Sequence, residues 1–159
     1  MVNSKDKLLM DNISKFYNSN NINDILPITQ GHSKLSLRVL DWFVTNYCKT
    51  YNIILNGNKK TNYNVYLDYK SQLKAFSKKQ FDPFCRRERI VFYYDKKNFI
   101  TTTVGQLNFF KWAIENNILK YVNDNLKTIE ENMNKSCTLR ISGSKKINKN
   151  DMDIIISFQ

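Results

Sequence analysis

Apolar side chains recur every three or four positions in two segments near the start of the chain, the spacing of helices that bury one face. Residues 7–17 carry the weaker stripe and predict a short helix within a peripheral N-terminal segment, residues 1–30. Ser36 to Tyr51 carries the stronger stripe. Ser33 or Ser36 can cap its start, because a serine hydroxyl accepts a hydrogen bond from an unpaired N–H group of the first turn. The stripe consists of Leu37, Leu40, Val44, Tyr47 and Tyr51.

Two pairs of segments rich in β-branched and aromatic residues predict hairpins. The first pair, residues 51–55 and 63–67, is joined by a basic loop that begins with Asn56-Gly57. That dipeptide favours a turn because both residues tolerate positive φ. The second pair, residues 88–94 and 99–102, flanks an Asp-Lys-Lys-Asn turn. We therefore expect two antiparallel strand pairs in this part of the chain.

A helical face follows the first hairpin, over residues 68–80, with apolar side chains on one side and lysines spaced by four on the other. Pro83 ends this helix, because proline disfavours the α region for the residue before it. The turn at residues 81–84 is expected to be anchored by two aromatic rings, those of Phe81 and Phe84.

Two helical stripes and a last pair of strands complete the pattern. Thr103 and Gln106 match a capping box, in which each side chain accepts a hydrogen bond from the other residue's main-chain N–H. The helix that they start is expected to break at residues 116–117, and a second helical stripe follows that break. Residues 138–142 and 153–158 predict two strands that pair with each other.

These elements predict an α+β fold with antiparallel strand pairs and about three to four helices. The chain has 159 residues, of which 42% are hydrophobic, enough for a core that needs no metal ion or disulfide to stabilise it. We expect residues 31–159 to form a single domain. No apolar run approaches the ~18 residues that a membrane span requires, so we expect no membrane partner, and no secretory signal is visible at the start.

Residues with metal-binding spacing do not stand out. The three cysteines are widely separated, the chain has one histidine, His32, and no Cys-x-x-Cys pair occurs. This argues against a zinc site, and a reducing compartment with unpaired cysteines is the simplest interpretation. The cysteines are Cys48, Cys85 and Cys137.

Catalytic motifs are also missing. Neither of the glycine-rich phosphate-binding motifs nor the Gly-x-Ser-x-Gly nucleophile motif occurs. Glu130 and Glu131 are adjacent carboxylates, for which the solvated face of a helix is a simpler explanation than acid–base catalysis. We therefore expect a protein that is not an enzyme, with no catalytic residue, no metal ion and no cofactor.

The formal net charge of +11 favours anionic partners, namely nucleic acid, an acidic protein surface or anionic lipid. An AT-rich genome is an alternative explanation, because the abundant Asn, Lys, Ile, Tyr and Phe have AT-rich codons. The charge is unevenly spread, however. Residues 59–97 carry +7 of the total, including three of the five arginines, and codon bias towards lysine does not explain arginines.

Basic and aromatic residues alternate within this stretch, a composition typical of surfaces that contact phosphates and unpaired bases. The other interpretation is that the rings belong to the core and the charges to a solvated face. The candidate nucleic-acid-binding residues are Lys70, Lys74, Lys78, Lys79, Arg86, Arg87, Arg89, Lys96 and Lys97.

Two stretches carry a resemblance to a known group of proteins. They run from Tyr69 to Ile90, including Phe-Asp-Pro-Phe-Cys-Arg-Arg-Glu-Arg, and from Thr102 to Ile114, including Gly-Gln-Leu-Asn-Phe-Phe-Lys-Trp-Ala. Both resemble segments of proteins from giant nucleocytoplasmic DNA viruses of the mimivirus type, over about residues 33–158. The resemblance implies a viral protein made in the host cytoplasm, located in a viral factory or in the virion. It implies no catalytic residue.

Two functions agree with these observations. The first is a non-enzymatic nucleic-acid-binding protein, with DNA ahead of RNA, that contacts the phosphate backbone through residues 59–97 largely without reading sequence. The alternative is a viral structural or protein-interaction component, of the virion or of a transcription complex, that binds an acidic viral or host protein partner.

Overall fold

Helices and two short strand pairs alternate along the chain in the computed structural model, which describes residues 4–85 and 88–147, with side chains through residue 137. The helices are α1 (Ser4–Phe16), α2 (Leu26–Thr29), α3 (Leu37–Trp42), α4 (Cys48–Tyr51), α5 (Val65–Ala75), α6 (Lys78–Phe81), α7 (Val104–Glu115), α8 (Ile118–Asp124) and α9 (Leu126–Ile147). A 3₁₀ turn (Asn21–Asp24) precedes α2, and a π-helical turn (Phe43–Tyr47) joins α3 to α4. The strands are β1 (Ile54–Leu55), β2 (Tyr63–Asn64), β3 (Ile90–Tyr93) and β4 (Phe99–Thr102). The α+β class with antiparallel strand pairs is confirmed, whereas the expected three to four helices were too few.

Helix α7 lies at the centre of the fold and contacts α1, α6 and α8. Most of its side chains are buried, among them the large rings of Phe109, Phe110 and Trp112. Leu9 and Ile13 of α1 belong to the same core. The division between a peripheral segment and a domain at residue 30 stays a prediction.

The long helical stripe from Ser36 to Tyr51 is confirmed, with the π-helical turn in its middle. Ser36 is the residue that caps it, since its Oγ accepts a hydrogen bond from the N–H of Val39 at 3.2 Å. The buried face of the stripe includes Leu40 and Val44. This segment packs against α5 and α9.

The first hairpin is much shorter than predicted, because a helix begins where the second strand was expected to continue. Ile54 pairs with Asn64 and Leu55 with Tyr63, but Val65 already starts α5. The reason is local: the Oδ1 of Asn64 accepts a hydrogen bond from the N–H of Leu67 at 3.0 Å, an N-cap that competes with strand propensity. The prediction of a strand over residues 65–67 was therefore wrong.

Residues 68–80 do not form one helix. Helix α5 ends at Ala75, and Phe76 is extended. Ser77 and Gln80 then form a capping box that starts α6. The predicted i, i+4 spacing of Lys70, Lys74 and Lys78 on one helix therefore holds only for Lys70 and Lys74, because Lys78 belongs to α6. Of the two rings expected to anchor residues 81–84, the ring of Phe81 is buried and that of Phe84 is exposed.

The second hairpin and the helix after it are confirmed with small corrections. Strands β3 and β4 are antiparallel, with Tyr93 opposite Phe99. The Oγ1 of Thr103 accepts a hydrogen bond from the N–H of Gln106 at 3.1 Å and caps α7. The amide of Gln106 bonds to Thr102 and Pro83 instead, so half of the predicted capping box forms. The break at residues 116–117 is confirmed, with Asn117 in the left-handed region at φ 60°.

The predicted strand at residues 138–142 was wrong, because these residues continue α9. Extending an existing helix adds a hydrogen bond for each residue without a new nucleation step, which outweighs a weak β propensity. The strand predicted at residues 153–158 lies outside the described residues. None of the helices in the described part of the chain combines the length and the hydrophobicity of a membrane-spanning segment. Cys48, Cys85 and Cys137 are free thiols.

Candidate nucleic-acid interface

Exposure is the property that the predicted cations share. Seven of the nine lie within the described residues, and all seven have exposed side chains. Arg86 and Arg87 lie outside the described residues. The seven are Lys70, Lys74, Lys78, Lys79, Arg89, Lys96 and Lys97, and they come from α5, from α6 and from the region of the second hairpin.

Helix α5 places two of these cations on one outer face. Lys70 and Lys74 are four residues apart, so their side chains are neighbours on the helix surface. On the adjoining side of the helix Tyr69 and Leu73 pack against the core. Burial, with smaller contributions from nearby carboxylates, raises the pKa of Tyr69 to about 12. The buried side fixes the direction in which the two lysines point.

Helix α6 brings two more lysines next to the start of the second hairpin. The Nζ of Lys79 lies 2.6 Å from the Oε1 of Glu88, and both side chains are exposed. The hydrogen bond to Glu88 is the largest cause of the raised pKa of Lys79. Glu88 has a left-handed backbone, with φ 56°. This ion pair therefore connects α6, with its neighbouring Lys78, to the segment that carries Arg89.

The turn of the second hairpin presents Lys96 and Lys97 to solvent. The Oδ1 of Asp95 accepts hydrogen bonds from the N–H groups of Lys97 and Asn98, each at 2.7 Å. The Oδ2 of Asp95 accepts another from the side-chain amide of Asn98. These bonds, that of the amide first, lower the pKa of Asp95. The carboxylate is occupied within the turn, and the two ammonium groups remain outside it.

The two faces of this hairpin differ sharply. Phe92 and Ile100 face the core, where the ring of Phe92 contacts that of Tyr17 edge-on at 5.8 Å. Tyr93 and Phe99 lie on the other face and are 61% and 53% exposed. Sequence reasoning noted the aromatic residues of β3 but missed Phe99. The alternation within β4, together with its register against β3, was the signal that could have found it.

Lys60 of the basic stretch and Lys111 of α7 have carboxylate partners within the fold. Lys60 lies 2.7 Å from the Oδ1 of Asp68, and the indole N–H of Trp112 donates to the Oδ2 of the same carboxylate at 2.7 Å. Lys111 pairs with Glu115 at 2.8 Å. Lys60, Lys111, Trp112 and Glu115 line one cleft, where Lys60 and Lys111 are paired with carboxylates of the fold.

No group of three or more His, Cys, Asp or Glu residues that could hold a metal ion occurs within the described residues. Burial raises the pKa of the Cys48 thiol far above its ordinary value, which makes it a poor nucleophile. The arrangement supports contacts with an anionic partner at the surface.

The chain has relatives among the proteins of giant viruses. A family model described as "Family of unknown function (DUF7197)" matches residues 2–156. An uncharacterised protein of Acanthamoeba polyphaga mimivirus is 42% identical over 166 aligned residues, which cover 98% of this chain and 63% of the relative. The chain thus spans less than two thirds of the relative's length. No solved structure gives a significant match.

Proposed function

The chain belongs to this family of unknown function, and we propose that it is a non-enzymatic nucleic-acid-binding protein, with DNA ahead of RNA. Its exposed cations contact the phosphate backbone, and binding is largely independent of sequence. Lys and Arg neutralise phosphates and release counterions. This requires ammonium and guanidinium groups that are exposed and not held by carboxylates of the protein.

The observation that carries the proposal is the state of the candidate cations. Within the described residues, Lys79 is the one cation of the seven that has a salt bridge to a carboxylate. Two other lysines, one in the basic stretch and one in α7, are paired with carboxylates of the fold and are therefore less available. They are Lys60 and Lys111. The fold thus pairs some of its lysines with carboxylates and leaves six of the seven described candidate cations at the surface without a salt bridge.

An acidic protein partner is the second candidate, and one observation favours it. Val91, Tyr93 and Phe99 are exposed next to the cations of the second hairpin. Protein interfaces combine an apolar centre with a polar rim, and this combination is present here. The two candidate functions are distinguished by whether the protein binds nucleic acid at all and by how its affinity depends on salt concentration.

A mobility-shift titration with duplex and single-stranded DNA over a salt series tests the proposal. If phosphate contacts dominate, log affinity falls linearly with log salt, with a slope of about −0.9 per contacted phosphate on duplex DNA and about −0.7 on a single strand. An affinity indifferent to salt would remove the electrostatic explanation. No binding to any nucleic acid at low salt would favour the acidic protein partner.

Two double variants test whether binding uses the α5 surface in particular. The change Lys70→Ala with Lys74→Ala should weaken binding and make the salt slope shallower by up to about two units, one for each lost phosphate contact. The matched control is Lys120→Ala with Lys127→Ala, which removes two exposed lysines from α8 and α9 and so changes the net charge equally. Equal effects of both variants would show that net charge, and no particular surface, drives binding.

A further inference from the structure

The outer face of the hairpin formed by β3 and β4 is set by the register of its strands. Tyr93 lies opposite Phe99, and Phe92 lies opposite Ile100. Successive side chains of a strand point to opposite faces. Since Phe92 and Ile100 are buried against the core, Tyr93 and Phe99 must lie together on the solvent side. Their ring centroids are 5.3 Å apart, and the ring planes are inclined by 50°.

A third apolar side chain, that of Val91, extends this outer face beyond the two rings. Val91 precedes Tyr93 by two residues on the same side of β3 and is also more than half exposed. Single apolar residues on a surface are ordinary, but a contiguous patch marks a contact site. The inner face of the hairpin already holds it to the core, so the outer rings are not needed to anchor it.

Cations border the patch. Lys96 and Lys97 occupy the turn at one end, and Arg89 precedes β3 at the other. The nearby carboxylates are engaged: Asp95 within the turn and Glu88 with Lys79. An occupant that fits therefore combines flat apolar groups with regularly spaced negative charges.

We propose that this outer face binds single-stranded nucleic acid, with unpaired bases stacked on Tyr93 and Phe99 and the neighbouring phosphates held by Lys96 and Lys97. The inference rests on the proposed function and makes it more specific. Every base has a π-face, and stacking on exposed aromatic rings tolerates any sequence. In a duplex these faces are already stacked on neighbouring base pairs, so the rings distinguish single strands from duplexes where the cations alone do not.

Fluorescence anisotropy with three labelled DNA probes of one length tests the inference on the full chain. The probes are an oligothymidine strand, an abasic strand, which keeps the phosphates without the bases, and a duplex. Wild-type protein should bind oligothymidine more tightly than the abasic strand. Tyr93→Ala or Phe99→Ala should lower the affinity for oligothymidine about 5- to 150-fold, the range measured for a lost base–aromatic stack, and leave the abasic affinity unchanged.

Three further variants separate the stacking contact from other effects. Tyr93→Phe keeps the ring and should bind oligothymidine as the wild type does. Leu67→Ala truncates an equally exposed apolar side chain on α5, outside the hairpin, and should change nothing. Lys96→Ala with Lys97→Ala should weaken binding of all three probes. Thermal melting of the same samples shows that each variant is folded.

The outcomes distinguish this inference from the proposed function. If all three probes bind with a salt-dependent affinity and Tyr93→Ala changes none of them, phosphate contact stands and the stacking inference is wrong. The same result is expected if the rings face another protein. If no probe binds at low salt, the proposed function and the inference fail together. A selective loss on the strand that carries bases supports the inference.

Discussion

The α carbon of Gly105 packs so closely on the main chain near Asp82 that a Cβ atom at position 105 would lie 2.7 Å from the carbonyl oxygen of Asp82. It would also lie 2.9 Å from the carbonyl oxygen of Lys79. Both oxygens belong to α6 or to its C-cap, and no side-chain rotation can move them away. Glycine at this position thus lets the first turn of α7 dock on the short helix that presents Lys78 and Lys79.

We expect Gly105→Ala to destabilise the protein. Overpacking against backbone atoms costs about 1–3 kcal/mol, which exceeds the roughly 0.5–1 kcal/mol that alanine gains over glycine in a helix. The free energy of unfolding, measured by urea denaturation, should fall accordingly. Gly31→Asn is the comparison: Gly31 has no atom within 4 Å of an added Cβ but a left-handed backbone with φ 75°. Asparagine adopts that region more readily than most residues, so this variant should add only a small backbone strain energy and lose less stability than Gly105→Ala. Equal stability of Gly105→Ala and wild type would show that the two helices separate easily.

Tyr17→Phe should remove a long-range hydrogen bond within the core. The hydroxyl of Tyr17 is buried and donates to the main-chain carbonyl oxygen of Leu107. A typical intramolecular hydrogen bond contributes about 0.5–1.5 kcal/mol, and the free energy of unfolding at pH 7 should drop by that amount. Tyr93→Phe, which removes an exposed hydroxyl, should leave stability unchanged.

The same substitution should also change the response to alkali. Burial raises the pKa of Tyr17 well above 10.0, and Glu115 adds to this increase. The unfolded chain releases the proton near pH 10.0, while the folded chain retains it. The contribution of the protonated Tyr17 hydroxyl to the free energy of unfolding is therefore complete below pH 10 and is lost as the pH rises further. Denaturation curves between pH 9 and pH 11 should decline less steeply for Tyr17→Phe than for wild type, and parallel curves would contradict this prediction.

Asp41→Asn should stabilise the protein at neutral pH. Burial, and secondarily repulsion from Asp82, raises the pKa of Asp41 from 3.8 to about 6. The folded state therefore holds this proton more firmly than the unfolded state, so the contribution of Asp41 is complete below pH 3.8 and is lost as the pH rises through about 6. We expect a gain of about 1–2 kcal/mol at pH 7, less than the ~3 kcal/mol that this pKa difference allows, because water screens a partly exposed carboxylate.

A pH series from 3.5 to 7.5 measures this effect. The gain from Asp41→Asn should grow with pH across the range and be smallest at the acid end. Asp11→Asn removes an exposed carboxylate from α1 and serves as the control for net charge. A gain that is independent of pH, or equal to that of the control, would exclude ionisation of Asp41 as its cause.

Local signals in the sequence predicted the elements whose stability is itself local. The caps at Ser36 and Thr103 and the break at Asn117 depend on side chains within a few residues, and all three are present. The strand predicted after Asn64 failed because a second local signal, a helix cap, competes with strand propensity at the same place. Patterns of neighbouring residues are therefore informative until two of them conflict.

Contacts between distant residues set the limits of prediction for the candidate interface. Lys60 belongs to the basic stretch, but it pairs with Asp68, which also receives the indole N–H of Trp112, 44 positions further along the chain. The exposure of Phe99 likewise follows from its register against Tyr93 and from the core contact of the opposite face. Composition identified a region rich in cations and rings, and tertiary structure decided which of them remain at the surface.

Glu88→Gln should increase the affinity for nucleic acid. The carboxylate of Glu88 pairs with Lys79, so it neutralises one candidate phosphate contact and repels the phosphate of an approaching strand. Glutamine has nearly the same shape and removes the charge, which frees the ammonium group of Lys79. Loss of an exposed ion pair changes stability little, so the melting temperature should stay constant. At low salt the variant should bind more tightly, with a salt slope steeper by about one unit if Lys79 then meets a phosphate.

The decisive comparison for this variant is Glu131→Gln, which removes an exposed carboxylate from α9 and changes the net charge by the same amount. If binding follows the overall charge of the protein, both variants gain affinity equally, because long-range attraction does not depend on where the charge is lost. If strands bind beside α6 and the second hairpin, Glu88→Gln gains affinity and Glu131→Gln remains close to wild type. The steeper slope should also disappear when Lys79→Ala is added to Glu88→Gln, since no ammonium group is then released. A Glu88→Gln variant that is folded and binds no more tightly than wild type would place the interface elsewhere on the molecule.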